Sequence, residues 1–209
     1  MQYSQEVEQW SVGELVMEGP AAGNPFVEVR LSAEFFSGVH YAYAEGFYDG
    51  KGVYRIRFMP SVPGEWTFVT SSNVPEWNGR SGTIRVAPAS PGNHGPVRVK
   101  DESHFGYADG FRYRPIGTNC YLWHLGSEAL REQTLTSLRR SPFNKIRMSV
   151  LPMANRYIRL EPELYPFEGS IRDGFDFDRP NPTYFARLEE AVLELQKLGI
   201  EAELILLHP

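Results

Sequence analysis

At 209 residues, 42% hydrophobic and 22% charged, the chain is long enough to bury a core, and its composition is not that of a disordered segment. A formal net charge of −5 excludes a surface built to neutralise phosphates, so nucleic acid is not an expected partner. The single cysteine, Cys120, excludes an intrachain disulfide, and the longest apolar run, residues 204–207, is too short to cross a bilayer.

The first residues have neither a basic stretch nor an apolar one, so a cytoplasmic location is expected, with secretion after loss of a leader as the alternative. Up to residue 88 the chain is written in short alternating segments. Residues 26–31, 53–58, 66–70 and 83–86 each alternate apolar and polar side chains, the period that puts one face on a core and the other in water. Turn residues separate them at 23–25, 49–52, 63–64 and 78–79. Strands of this length without an intervening helix predict an Ig-like antiparallel β-sandwich over residues 1–88. Residues 89–96, rich in Pro and Gly, read as a linker. A hairpin is expected next, turning at Asp109-Gly110.

From Ile116 the pattern changes. Residues 116–121 read as a strand, and Ser127 caps a helix through Arg140 with Glu128 in its first turn. Residues 145–151 form a second strand, and a long polar connection follows over 152–180. Asn181-Pro182 opens a second helix with Phe185, Leu188, Val192, Leu195 and Leu198 at helical spacing. Gly199 ends that helix, and residues 201–207 form a third strand. Apolar strands alternating with helices imply a parallel sheet, either doubly wound or a (β/α)8 barrel. No Gly-rich phosphate loop follows the first strand, which favours the barrel. Residues 97–209 are therefore expected to supply the first three βα units of a TIM barrel, the remaining units lying past Pro209.

Residues 143–150 (FNKIRMSV), 181–185 (NPTYF) and 198–208 (LGIEAELILLH) resemble the apiosidase-like family of glycosidases, within clan A of the barrel glycoside hydrolases. The front half looks like the Ig-like module often fused ahead of that barrel, on residues 10–20, 23–26 (GNPF), 46–50 (GFYDG), 54–60 (YRIRFMP), 64–66 (GEW) and 90–96. The resemblance implies an oligo- or polysaccharide substrate, a retaining two-carboxylate mechanism and no cofactor. In clan A an Arg ending the second strand and a His ending the third border the subsite of the scissile sugar, and Arg147 and His208 match those positions. The family's acid/base and nucleophile lie on later strands. No catalytic residue is therefore expected in these residues, which alone should be inactive.

The residues themselves leave alternatives beside each role. Arg147 is flanked by Ile146 and Met148 and suits either a sugar contact or a structural ion pair. Asn119, Tyr121, Trp123 and His124 crowd the exit of the first strand, with Trp123 a sugar platform or a packed loop ring. Asp173, Asp176 and Asp178 read as turn chemistry rather than a cation site. Glu201 and Glu203 stand two apart on one strand, too close in direction to flank a sugar as a retaining pair. Glu28, Glu34 and Glu65 read as solvated. His94, His104 and His124 lack any metal-ligand spacing, so no metal is expected. A rival function is a non-catalytic carbohydrate-binding or adhesion module with Trp10, Trp66 or Trp77 as platforms. Uncovered barrel edges would invite self-association.

Overall fold

The computed structural model describes residues 2–3, 6–152 and 162–207. Two compact units divide the chain, residues 1–113 and 114–209. In the first, the strands are β1 (Gln2–Tyr3), β2 (Glu6–Glu8), β3 (Gly13–Glu18), then, after the one-turn helix α1 (Pro25–Glu28), β4 (Leu31–Ser37), β5 (His40–Tyr48), β6 (Val53–Phe58), β7 (Gly64–Ser72), β8 (Ser81–Ala87), β9 (Val97–Lys100) and β10 (His104–Tyr107). The alternation seen in the sequence sets the burial. Leu15 and Met17 of β3, Tyr54, Ile56 and Phe58 of β6, Trp66 and Phe68 of β7, and Ile84 and Val86 of β8 meet in one core. Residues 26–31, read as a strand, instead begin with α1. Pro25 supplies the preset φ of a first helical residue, and the Asn24 carbonyl accepts from the amides of Val27 and Glu28.

The Ig-like sandwich is corrected by the strand order. Eight strands form one hydrogen-bonded sheet, β1-β3-β6-β5-β4-β7-β8-β2, antiparallel apart from the β2–β8 pair. The joining element is β5. It pairs with β4 from His40 to Glu45, then with β6 from Gly46 to Tyr48. The sheet folds over at that handover, and Gly46 permits it: a Cβ there would lie 2.8 Å from Leu31 Cγ and 3.1 Å from Ile56 Cγ1. Folding brings Phe35 of β4 onto Phe58 of β6 in a stack with centroids 3.9 Å apart. Tyr3 of β1 meets Phe68 of β7 edge-on at 5.7 Å, so the sheet is nearly closed. Period-two alternation is the same for two facing sheets and for one sheet folded on itself, which is why the sequence does not separate them.

The segment read as a linker is pinned to β2. The Glu8 carboxylate accepts from the Ser90 amide at 2.8 Å, the Ser90 hydroxyl at 2.9 Å and Asn93 Nδ2 at 2.7 Å. These donors, the Ser90 amide foremost, hold the Glu8 carboxyl below its ordinary range.

The second unit runs β11 (Gly117–Asn119), a 3-10 turn (Trp123–Leu125), α2 (Glu128–Arg139), β12 (Lys145–Ser149), β13 (Phe167–Ser170), β14 (Gly174–Pro180), α3 (Pro182–Lys197) and β15 (Glu201–Ile205). Both long helices start on side-chain caps, Ser127 accepting from the Leu130 amide and Asn181 from the Thr183 amide. The TIM-barrel expectation is also corrected. Among the described residues the parallel strands form an open sheet of three, β11-β12-β15. Barrel closure demands eight strands of matched tilt and stagger, and three cannot supply it. The stretch read as a long connection holds the antiparallel hairpin β13/β14. The described residues are mainly β, 42% strand against 18% helix. Ile146 and Met148 turn one face of the parallel sheet into a core with Leu138 of α2 and Leu188, Ala191 and Leu195 of α3.

Candidate functional site on the parallel sheet

The face of the sheet opposite Ile146 and Met148 carries the polar residues. Register places Asn119, Arg147 and Glu203 side by side across β11, β12 and β15, with Gly117, Lys145 and Glu201 in the row below. Neighbouring parallel strands lie about 4.8 Å apart, so the upper row spans roughly 10 Å, the width of one to two sugar rings. Arg147 Nε donates to Glu203 Oε1 at 2.6 Å, and its Nη2 bonds the same oxygen. Lys145 Nζ lies 2.6 Å from Glu203 Oε2. Lys145 first, then Arg147, hold the Glu203 carboxyl below its ordinary range. Glu203 is thus an ionised clamp with both oxygens engaged. Half of the Arg147 side chain remains exposed, and Asn119 is exposed beside it. The arrangement offers a guanidinium fork and an amide to hydroxyl-rich ligands. The sequence reading set Glu203 aside. The signal that finds it is the alternation Lys145/Arg147 on one strand facing Glu201/Glu203 on its parallel neighbour.

Trp123 and His124 lie elsewhere. Both are buried in the 3-10 turn, Trp123 packing into the core beneath the sheet. His124 has no solvent exposure, and burial pushes its pKa down to about 4, with the charges of Arg131 and Arg187 adding to the effect. Neither ring nitrogen of His124, nor Trp123 Nε1, has a hydrogen-bond partner among the described residues. His208 lies outside the described residues.

The remaining acidic and imidazole groups have local roles. Ser170 Oγ donates to Asp173 Oδ2 at 2.8 Å across the β13/β14 turn, and Asp176 Oδ1 accepts from the Asp178 amide within β14. His94 pairs with Asp109 at 2.7 Å and stacks on Phe111. Among the described residues no group of three or more His, Cys, Asp or Glu is placed to hold a metal ion. No helix among them is long and apolar enough to cross a membrane.

Across 99% of its length the chain superposes on the crystal structure of a candidate glycoside hydrolase from Bacteroides vulgatus, with a TM-score of 0.94 and 47% identity. The fold is glycoside-hydrolase-related. The chain spans 42% of that protein's length. A profile described as a domain of unknown function, DUF5060, matches residues 6–73. No curated protein matches the sequence. A structure named glycoside hydrolase covers 54% of this chain and 25% of its own at 20% identity and a TM-score of 0.40. A family 39 glycoside hydrolase from Bacteroides cellulosilyticus covers 97% and 32% at 14% identity and 0.27. Both are too distant to carry an argument.

Proposed function

We propose that these residues belong to a retaining glycoside hydrolase of the apiosidase-like kind, acting on an oligo- or polysaccharide, and that Asn119 and Arg147 meet its sugar. The observation that carries the reading is the near-complete superposition on the Bacteroides vulgatus protein at 47% identity. The polar row agrees with it. Glu203 on β15 holds the guanidinium of Arg147 on β12 through Nε and Nη2, leaving the rest of the fork for a ligand. Retaining hydrolysis needs two carboxyl groups about 5 Å apart, one protonated to assist the leaving oxygen. Glu203 is ionised, which rules out the acid post, and both its oxygens are held by Arg147 and Lys145, which leaves neither to attack as nucleophile. In this reading the acid/base and the nucleophile come from residues outside this chain, which spans 42% of its relative. The native gene product, incubated with a panel of plant and bacterial glycans, is expected to release reducing sugar from at least one of them. Release from none removes the reading.

A further inference from the structure

The tryptophans that the sequence offered as sugar platforms in the first unit are not available for that role: Trp66 and Trp77 are buried, and Trp10 is half-buried. A different set of rings faces solvent. Tyr41, Tyr43, Glu45 and Phe47 stand two apart along β5 and share its outer face, with Tyr41 56% and Tyr43 54% exposed. Strand β4 sets Phe36 beside Tyr41, Glu34 beside Tyr43 and Ser32 beside Glu45. Strand β7 extends those rows with Thr67, Val69 and Ser71.

From this placement we infer that the outer face of β4, β5 and β7 is a binding surface for a neutral oligosaccharide. The inference rests on the carbohydrate reading above and places a second contact in the other unit. Successive outward residues on a strand are about 6.7 Å apart, so Tyr41 and Tyr43 present neighbouring rings along one line, and ring faces of this kind stack on the apolar C–H faces of pyranose rings. Tyr41 is fixed in place: it lies 5.4 Å from Phe36 by centroid and donates its hydroxyl to Glu34 Oε1 at 3.0 Å. Beyond Tyr43 the line runs into a cleft of about 670 Å³ that Tyr43, Glu45 and Arg30 help to line. Composition decides between occupants. Two rows mix aromatic or apolar groups with a hydroxyl or a carboxylate and the third, Ser32, Glu45 and Ser71, is wholly polar, unlike the apolar centre of a protein interface. Glu34 and Glu45 repel anionic partners such as nucleic acid, acidic glycans and anionic lipid. The same carboxylates are strong acceptors for sugar hydroxyls.

The test is titration of the folded 209-residue chain with neutral cello-, xylo-, malto-, manno- and galacto-oligosaccharides by calorimetry, with circular dichroism to check each variant. At least one oligomer should bind. Tyr43→Ala should weaken it at least tenfold, Tyr43→Phe less than threefold, and Ile171→Ala, at the exposed tip of the β13/β14 hairpin, should leave it within twofold. Binding by none of the oligomers overturns the inference. So does binding that falls with Asn119→Ala but not with the Tyr41→Ala/Tyr43→Ala double variant; the proposed function then stands while this surface falls. A wild-type dimer that the same double variant converts to monomer would assign the face to self-association instead. Conversely, Tyr43-dependent binding beside a native gene product that hydrolyses nothing would keep the surface and remove the enzyme.

Discussion

Gly46 sits where β5 changes partners, and the atom it lacks decides whether the sheet can fold over. A Cβ placed 2.8 Å from Leu31 Cγ and 3.1 Å from Ile56 Cγ1 meets two core side chains at once, so neither can give way alone. Gly46→Ala is expected to cost about 1–3 kcal/mol in urea unfolding, the range for overpacking a filled core. A loss no larger than that of a surface substitution would mean that the bend does not depend on this residue. His124 makes a second residue-scale prediction. Its pKa falls from 6.5 to about 4 on folding, so between those values the unfolded chain binds the proton and the folded chain does not. The sign follows: the contribution of neutral His124 is complete above pH 6.5 and is lost as the pH drops toward 4, at most about 3 kcal/mol. His124→Leu should flatten the fall in unfolding free energy over that window, measured by chemical denaturation at pH 4.5 and 7.5. An unchanged slope would place the titration elsewhere.

At the scale of elements, the ends of the two long helices were the most legible features, because capping is local chemistry. Ser127 and Asn181-Pro182 announce α2 and α3 in the sequence and cap them in the structure. Asn181→Ala is expected to cost about 1 kcal/mol, read as a lower thermal midpoint of the helical signal. The strands around Ile56, Phe68 and Ile84, and the parallel trio from residue 116 onward, follow equally from apolar periodicity. What periodicity does not encode is pairing across distance. The handover of β5 from β4 to β6 depends on long-range register, and the alternation of Tyr41, Ala42, Tyr43 and Ala44 says which residues share a face but not which face is covered. For the same reason the sequence does not tell which tryptophans face solvent: Trp66 lies in a β-strand whose inner face it occupies. The β13/β14 hairpin was missed because Pro166, Pro180 and the acidic residues between them read as a connection, although Phe167, Phe175 and Phe177 carry a strand alternation. Of the candidate site, Asn119 ends β11, whereas Arg147, expected at a strand end, stands mid-way along β12, and their alignment with Glu203 requires the register of three strands.

At the scale of the molecule, the parallel sheet has two open edges among the described residues, β11 and β15, and the residues after β15 include exposed Leu206 and Leu207. Unpaired backbone beside apolar side chains is a template for another strand. The 209-residue chain is therefore expected to self-associate with rising concentration in sedimentation velocity, and Leu204→Lys, which puts a charge on the β15 edge, should reduce it. A monomer at all concentrations would show that the edges are protected. The proposed function turns on whether the Asn119–Arg147–Glu203 row meets substrate. The most direct measurement is kcat/KM of the native gene product and its Arg147→Ala variant on a glycan that the wild type cleaves, with thermal midpoints compared alongside. A loss on the order of 10²-fold at an unchanged midpoint is predicted, the scale of removing one positioned donor. Equal kcat/KM values in the two proteins would contradict it.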